Sequence, residues 1–283
     1  MNTVYLNGQF IAREQATVSV LDRGFLLGDG VYEVIPVYHG KAFRLEQHLQ
    51  RLENSLHAIH LPPPLNARQW TDIVGRLIQL HGGGDQSLYL QVTRGPGMRD
   101  HLFPTQINPT VFAMTTRLPV AGTAEPEAAS ALCLADSRWE HCNIKSISLL
   151  ANILAKQQAF SQGKSEAFLI RDGLLTEGTA SNVFMVKDGV IVTPPNGPHL
   201  LPGVTRDLIL ELAHTHQMPA QERDISQDEL YLADEIWLTS SAREIVPVTE
   251  LDNRPVGNGQ PGPVWRQMLR HYRQFKANLA TQA

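Results

Sequence analysis

The sequence predicts an α+β or α/β fold in two domains, a small N-terminal α/β domain at 1–117 and a larger C-terminal mixed β domain with helices at 131–283. Three observations support this. The 283 residues are many for a single core. Strand pairs joined by tight turns alternate with helical periodicities in both halves. Residues 118–130 contain mainly Pro, Gly, Ala, Thr and Glu without apolar periodicity, which predicts an interdomain linker.

The first domain is predicted to begin with strands. Asn7-Gly8 stands between two short apolar runs, and this pair favours a type I′ hairpin turn because both residues tolerate positive φ. His39-Gly40 marks a second hairpin. Leucines at helical spacing from Leu45 then predict a helix, and a similar pattern follows at Trp70. The predicted elements are strands at 4–6, 10–11, 31–38, 42–43, 87–93 and 110–114, and helices at 45–56 and 70–78.

The second domain shows the same mixture of patterns. Turn residues at Arg171-Asp172-Gly173 and Lys187-Asp188-Gly189 separate β-rich runs. The predicted elements are strands at 132–135 and 167–170, strands on either side of 187–189, strands from 235 onwards, and helices at 147–160, 204–214 and 264–279.

Composition excludes some classes of protein. A net charge of -4 without a basic stripe argues against a nucleic-acid partner. No leader-like segment opens the chain, and no run of eighteen apolar residues offers a membrane span, so we expect a cytoplasmic protein without a membrane partner. Cys133 and Cys142 are predicted to be free thiols, and no metal site is predicted.

One of the six lysines differs from the others in its surroundings. Lys145 precedes the apolar run at 147–154, so we expect its side chain to be partly buried, whereas the others lie beside turns or on polar helical faces. A desolvated lysine loses proton affinity, and its neutral amine can attack a carbonyl to form a Schiff base. Taken alone, the pattern also fits a capping lysine or one that snorkels to the surface.

Three later segments offer companions to this amine. Glu177 provides a carboxylate among hydroxyl groups and glycine. Leu201-Pro202-Gly203 leads into the helix predicted from Val204, so free amides and the Thr205 hydroxyl there can hold a phosphate. Ser240 and Ser241 end a predicted strand with further donors.

With these segments the chain resembles the class IV, or fold-type IV, pyridoxal-phosphate aminotransferases, and within them the D-amino-acid transaminases. The resemblance covers nearly the whole chain. It is carried by residues 22–24, 28–33, 48–52, 92–95, 142–146, 176–184, 201–207 and 239–241.

The resemblance implies a role for each cofactor-binding residue. Lys145 would form the Schiff base with pyridoxal 5'-phosphate and move the proton between the substrate and the cofactor. Glu177 would face the pyridine nitrogen, which favours its protonated form. The phosphate would be held by side-chain and main-chain donors of Arg51, Val204, Thr205, Ser240 and Ser241.

The resemblance also implies the substrate and the assembly. Tyr32, Arg99 and His101 would bind the substrate carboxylate, and the loop with Arg99 and His101 would reach the site of the neighbouring subunit in a homodimer. The expected reaction is ping-pong transamination between a D-amino acid, such as D-alanine, and a 2-oxo acid, such as 2-oxoglutarate or pyruvate. Ala180 and Ser241 depart from the serine and threonine common in relatives.

Three alternatives share parts of this pattern. A branched-chain L-amino-acid aminotransferase or an aminodeoxychorismate lyase would also use Lys145 and Glu177, and a ligand-binding homologue without catalysis would keep the fold. The sequence leaves open the preferred side chain, the strictness of D over L selectivity, the 2-oxo acid acceptor and assembly beyond a dimer.

Overall fold

The computed structural model describes residues 2–118 and 125–281. The chain divides into two compact units, Met1–Gly122 with Ile144–Ser148 and Thr123–Asn143 with Leu149–Ala283, here called the first and second units. Part of the predicted linker, 119–124, lies outside the described residues. The units and the predicted domains differ in their bounds: residues 129–130, placed in the predicted linker, are strand, and residues 144–148, with Lys145, belong to the first unit.

The first unit contains one antiparallel sheet of six strands, in the order β2-β1-β6-β5-β3-β4. Asn7 and Gly8 have φ of 48° and 94°, as the predicted hairpin turn requires. The antiparallel sheet predicted for this half is therefore confirmed. Its strands are β1 (Thr3–Leu6), β2 (Gln9–Ala12), β3 (Gly30–Tyr38), β4 (Lys41–Ala42), β5 (Gln86–Thr93) and β6 (Thr110–Arg117).

The first unit also contains helices. They are α1 (Arg23–Leu27), α2 (Leu45–Ala58) and α3 (Ala67–Leu80), and a 3-10 turn spans Arg13–Gln15. Asn66 and Gln69 form a capping box that satisfies free amides at the start of α3. The leucines of α2 and the apolar face of α3 are buried with the inner residues of β3 and β5 in one core, so the predicted helices are confirmed.

The second unit contains a larger sheet in which parallel and antiparallel pairs occur together. This agrees with the predicted mixed β architecture. Its order is β12-β11-β10-β13-β14-β7-β8-β9, and β15 pairs with β14. The strands are β7 (Ala129–Ala135), β8 (Glu166–Arg171), β9 (Leu174–Gly178), β10 (Asn182–Lys187), β11 (Val190–Thr193), β12 (Ala220–Glu222), β13 (Glu235–Ser240), β14 (Glu244–Leu251) and β15 (Arg254–Pro255).

Helices of the second unit are α4 (Leu150–Ser161), α5 (Val204–Thr215), α6 (Gln227–Tyr231) and α7 (Pro263–Thr281). The sequence predicted that the first of these begins at residue 147, and this is wrong. The amide of Ile147 instead donates to the carbonyl of Gly30 at 3.1 Å, and Ser146 pairs with Val31. A long-range strand contact therefore delays the helix start.

The apolar run after Lys145 is not what buries that lysine. Leu150, Ile153 and Leu154 are 69%, 59% and 61% exposed, so the prediction that this run lines a buried neighbourhood is wrong. Lys145 itself is half-buried, as predicted, because of the strand contacts of residues 144–148. Within 2–118 and 125–281, no helix combines the length and apolar character needed to cross a membrane.

Candidate functional site

Lys145 is held by its main chain against β3. Its carbonyl accepts a hydrogen bond from the amide of Tyr32 at 3.0 Å, and its amide donates to Oγ of Ser55 at 3.2 Å. The Lys145 amine then lies 4.3 Å from the centre of the Tyr32 ring, a distance at which an aromatic face attracts a cation. The structure thus brings together two of the predicted site residues and fixes the direction of the lysine.

Arg51 lies on α2 and forms a buried ion pair with Glu33 of β3. Nε of Arg51 donates to Oε1 of Glu33 at 2.7 Å, and Nη2 donates to Oε2 at 2.8 Å. This two-bond geometry fixes the plane of the guanidinium. Burial alone would raise the pKa of Glu33, but the charge and hydrogen bonds of Arg51 hold it well below its usual range.

His48 completes this group from the same helix. Its Nδ1 lies 2.7 Å from Oε2 of Glu33, and the spacing of three residues puts His48 and Arg51 on one face of α2. Burial lowers the pKa of His48 and outweighs the opposite effect of Glu33. Glu33 and His48 lie within two of the motifs that carry the family resemblance, but the sequence predicted no role for either of them.

Arg99 and His101 are exposed on the loop between β5 and β6. Asp100, between them, is fixed by its carbonyl, which accepts a hydrogen bond from Nη1 of Arg23 at 2.6 Å. Tyr32 is partly buried on β3 and stacks on Tyr89, with ring centres 5.7 Å apart. The predicted substrate residues therefore come from the first unit, as do Arg51 and Lys145.

Glu177 is buried in the second unit and lies near the end of β9. Nη1 of Arg138 donates a hydrogen bond to its Oε1, and the Leu201 amide donates to its Oε2 at 3.0 Å. Nδ2 of Asn182 approaches the same oxygen at 3.4 Å. The carboxylate is thus fixed in direction from three sides.

Arg138, for which the sequence predicted no role, is itself held by several neighbours. Its guanidinium donates to both oxygens of Asp136, at 2.9 and 2.8 Å, and to the carbonyl of His199 at 3.0 Å. Burial would lower the pKa of Arg138, but Asp136 and Glu177 raise it. One feature of the sequence could have indicated this pair: Asp136 and Arg138 directly follow the strand predicted at 132–135.

The start of α5 carries free main-chain donors. Gly203 caps this helix without any side-chain hydrogen bond, and Val204 and Thr205 are buried there. A Cβ on Gly203 would lie 1.9 Å from Oδ1 of Asn182, so only glycine fits beside Asn182. Helix starts of this kind bind phosphate through their amides.

A buried hydroxyl near this helix start has no hydrogen-bond partner. Thr239 lies directly opposite Asn182 in the β10–β13 pair, so the two side chains share a face, and Oγ1 of Thr239 is unsatisfied. An unsatisfied buried hydroxyl and uncapped amides fit the phosphate of a cofactor. Ser240 and Ser241 follow Thr239, and Oγ of Ser240 accepts a hydrogen bond from the Arg243 amide at 3.1 Å.

The predicted site residues therefore form two groups. The first unit contains Tyr32, Arg51, Arg99, His101 and Lys145, and the second contains Glu177, Val204, Thr205, Ser240 and Ser241. The first group includes the Arg51–Glu33 ion pair, and the second includes the Glu177–Arg138 ion pair.

Comparison with known proteins identifies a matching family and a similar enzyme. Residues 30–251 match the family model "Amino-transferase class IV". A D-alanine aminotransferase of Bacillus licheniformis is 38% identical over 265 residues, which are 94% of this chain and 94% of that protein.

Solved structures of similar fold are named for a different substrate. The branched-chain amino acid aminotransferase of Escherichia coli has a TM-score of 0.90 at 26% identity, covering 96% of this chain and 94% of that one. The branched-chain enzyme of Thermobaculum terrenum, solved in its PLP-form, has a TM-score of 0.87 at 26% identity, covering 97% and 94%.

Proposed function

The chain belongs to the class IV aminotransferases, and on this premise we propose that it transfers the amino group of a D-amino acid, such as D-alanine, to a 2-oxo acid such as pyruvate or 2-oxoglutarate. It is a pyridoxal-phosphate-dependent aminotransferase with the two-domain fold of this family. The observation that carries the proposal is the position of the Lys145 amine, 4.3 Å from the centre of the Tyr32 ring, on a main chain held by hydrogen bonds to Tyr32 and Ser55.

Each proposed cofactor contact is assigned to a residue whose position within its own unit is described above. Lys145 would hold the aldehyde carbon of pyridoxal phosphate. Arg51, fixed by Glu33, and the donors of Val204, Thr205, Ser240 and Ser241 would hold its phosphate. When bound, the cofactor supplies a sink for the electrons left on the substrate's Cα after its proton leaves.

The protein's own groups position the reaction. We propose that Nζ of Lys145 takes the Cα proton and that Glu177, paired with Arg138, keeps a proton on the ring nitrogen. Carboxylate binding by Tyr32, Arg99 and His101 would fix the substrate at its other end. Two fixed ends determine which face of Cα meets Lys145, and this sets the chirality.

The choice of D- over L-amino acids is supported by the Arg99-Asp100-His101 loop and by the name of the Bacillus licheniformis relative. The branched-chain L-amino-acid reaction is the second candidate, because solved structures with that name share the fold. Both candidates use Lys145 and Glu177, so only the amino donor separates them.

An amino-donor scan tests the substrate proposal. Purified holoenzyme is mixed with D-alanine or with L-leucine, and the absorbance of the bound cofactor is followed through the first half-reaction. We expect conversion with D-alanine and little with L-leucine. Conversion with L-leucine alone would replace the proposal by the branched-chain reaction.

Borohydride reduction tests the lysine separately. Reduction of the holoenzyme should fix the cofactor on Lys145, as peptide mapping would reveal, and Lys145→Ala should carry no fixed cofactor. Lys156→Ala, which alters a lysine on α4, is the matched control and should be labelled like the wild type. Labelling at another lysine would remove Lys145 from the site.

A homodimer is proposed from exposed apolar side chains near the substrate loop. Val20, Phe25, Met98 and Leu102 are 72%, 76%, 82% and 76% exposed, and the Gly97 amide joins the two segments by donating to the Leu21 carbonyl at 3.1 Å. Apolar groups in this number commonly mark a protein interface. A second copy of the chain is the proposed partner.

Mixing an inactive variant with one impaired in substrate binding tests the exchange of loops. Lys145→Ala and Arg99→Ala proteins are prepared separately, then mixed and allowed to exchange subunits. If the loop serves the neighbouring site, one site of each hybrid dimer carries neither change, and activity returns. If each loop serves its own subunit, every site keeps a defect and the mixture is no more active than Arg99→Ala alone.

A further inference from the structure

Arg23 and Arg94 form, with Asp29, a buried ion cluster next to the loop that carries Arg99 and His101. All three lie in the first unit, and Arg23 and Arg94 are 4% and 1% exposed. One oxygen of Asp29, Oδ2, accepts a hydrogen bond from Nε of Arg23 and another from Nε of Arg94, each at 2.8 Å. We call this group the arginine clamp.

A single carboxylate leaves guanidinium N–H groups that need other acceptors, since a buried charge without hydrogen bonds is costly. Arg94 donates to the carbonyls of Ile59 at 2.7 Å and His60 at 3.2 Å, at the end of α2. Arg23 donates through Nη1 to the carbonyl of Asp100 at 2.6 Å. The clamp therefore links a helix end to the middle of the substrate loop.

The second contact with the loop is aromatic. The guanidinium carbon of Arg94 lies 3.8 Å from the centre of the Phe103 ring, and the His60 ring is also near, at 6.4 Å between centres. Arg23 and Arg94 thus hold the loop on both sides of His101. Since Asp100 lies between Arg99 and His101, its carbonyl bond fixes the segment from which both side chains project.

The remaining contacts of this part of the loop are weaker. The Asp100 amide bonds locally to the carbonyl of Met98 at 2.8 Å, and the Leu102 amide bonds to Oδ1 of Asp100 at 3.2 Å. These bonds shape the loop but do not attach it to the sheet. Within one chain residues 98–103 are otherwise exposed, so the clamp is what attaches them to the rest of the first unit.

We infer that Arg23, held by Asp29 and supported by Arg94, is a positioning residue that sets the substrate-carboxylate affinity by fixing the Arg99-Asp100-His101 segment. This inference rests on the proposed function of Arg99 and His101. Arg23 touches neither substrate nor cofactor in this role. Loss of its second hydrogen bond lets the segment move, and small displacements of binding groups reduce binding strongly.

Arg23→Lys is the informative variant. A lysine keeps the positive charge beside Asp29, but its single ammonium cannot reproduce the planar fork that reaches both Asp29 and Asp100. We expect KM for D-alanine to rise about tenfold, the effect of losing one charge-assisted hydrogen bond, with kcat and the absorbance of the bound cofactor unchanged. Arg13→Lys is the matched control, because Arg13 is exposed in the same unit.

A double-variant cycle separates positioning from general stability. Arg99→Ala is measured alone and together with Arg23→Lys. If Arg23 acts through the loop, its effect on KM is smaller in the Arg99→Ala background than in the wild type, because coupled residues are not additive. Additive effects in the double variant, or a wild-type KM for Arg23→Lys, would overturn the inference while leaving the proposed function intact.

A failure of the proposed function would give a different kinetic result. If Arg99→Ala keeps the wild-type KM, the carboxylate site itself is wrong, and the clamp loses the role inferred for it. A thermal melt of each variant accompanies the kinetics. A large fall in melting temperature together with equal losses in kcat and kcat/KM would make Arg23 a purely structural residue.

Discussion

Glu33 and Arg51 form a two-bond ion pair in which Nε–Oε1 and Nη2–Oε2 measure 2.7 and 2.8 Å. Glu33 is fully buried and Arg51 is 7% exposed. A guanidinium fixed in this way presents its remaining edge in one direction, which suits a phosphate. The pair therefore links the stability of the first unit to the proposed cofactor contact.

Glu33→Gln should lower the stability of the protein and weaken its binding of the cofactor. Removing one charge of a buried pair costs about 3–5 kcal/mol, because Arg51 then keeps a buried charge without its partner. We expect a lower melting temperature and weaker binding of pyridoxal phosphate, measured by a thermal melt and by titration of the apoenzyme. Glu14→Gln, at an exposed position, should change stability by less than about 0.5 kcal/mol. Unchanged cofactor binding in Glu33→Gln would show that Arg51 does not contact the phosphate.

Glu177→Gln should reduce the rate, and it should cost less stability than Glu33→Gln because Arg138 keeps its ion pair with Asp136. The amide cannot hold a proton on the ring nitrogen as the carboxylate does, so kcat should fall by about 10²–10³-fold, the usual effect of removing one fixed electrostatic group. Stopped-flow absorbance with D-alanine measures this step. Glu140→Gln, on the exposed surface of the same unit, is the control. A Glu177→Gln enzyme with wild-type kcat would exclude the ring contact.

Gly203→Ala should disturb Asn182 and, through it, Glu177. The added Cβ would lie 1.9 Å from Oδ1 of Asn182, and Asn182 donates to the Leu201 carbonyl at 2.9 Å. Overpacking of this kind costs about 1–3 kcal/mol, and we expect weaker cofactor binding as well. Gly197→Ala offers a matched control, because its Cβ would meet no atom within 4 Å. Equal behaviour of the two variants would contradict the prediction.

Stability should fall between pH 7 and pH 5 because of His48. Burial lowers its folded-state pKa below the unfolded value of 6.5, so the unfolded chain binds a proton first as the pH falls. The unfolded state is thereby favoured, and the contribution of His48 is complete only above about pH 6.5. Urea denaturation at several pH values should show this loss, and His48→Gln should flatten it. If the loss of stability with falling pH persists in His48→Gln, other titrating groups cause it.

The sequence alone determined the local elements of this protein. The Asn7-Gly8 turn has positive φ at both positions, and the leucine periodicity from Leu45 gives α2, because turn geometry and the burial of one helical face depend on residues close in the chain. The family resemblance could also be read from the sequence, because the motifs that identify class IV aminotransferases are short runs of neighbouring residues. The family and the cofactor predicted from them are confirmed.

The tertiary structure alone decided which distant groups meet. Arg51 lies 18 residues from Glu33, Arg138 lies 39 from Glu177 and Asp100 lies 77 from Arg23, and no local pattern encodes such pairs. The segment around Lys145 joins β3 instead of extending α4 because Ser146 pairs with Val31. Buried ion pairs form where folding removes charges from water, and their partners become fixed only when the strands and helices that carry them have packed.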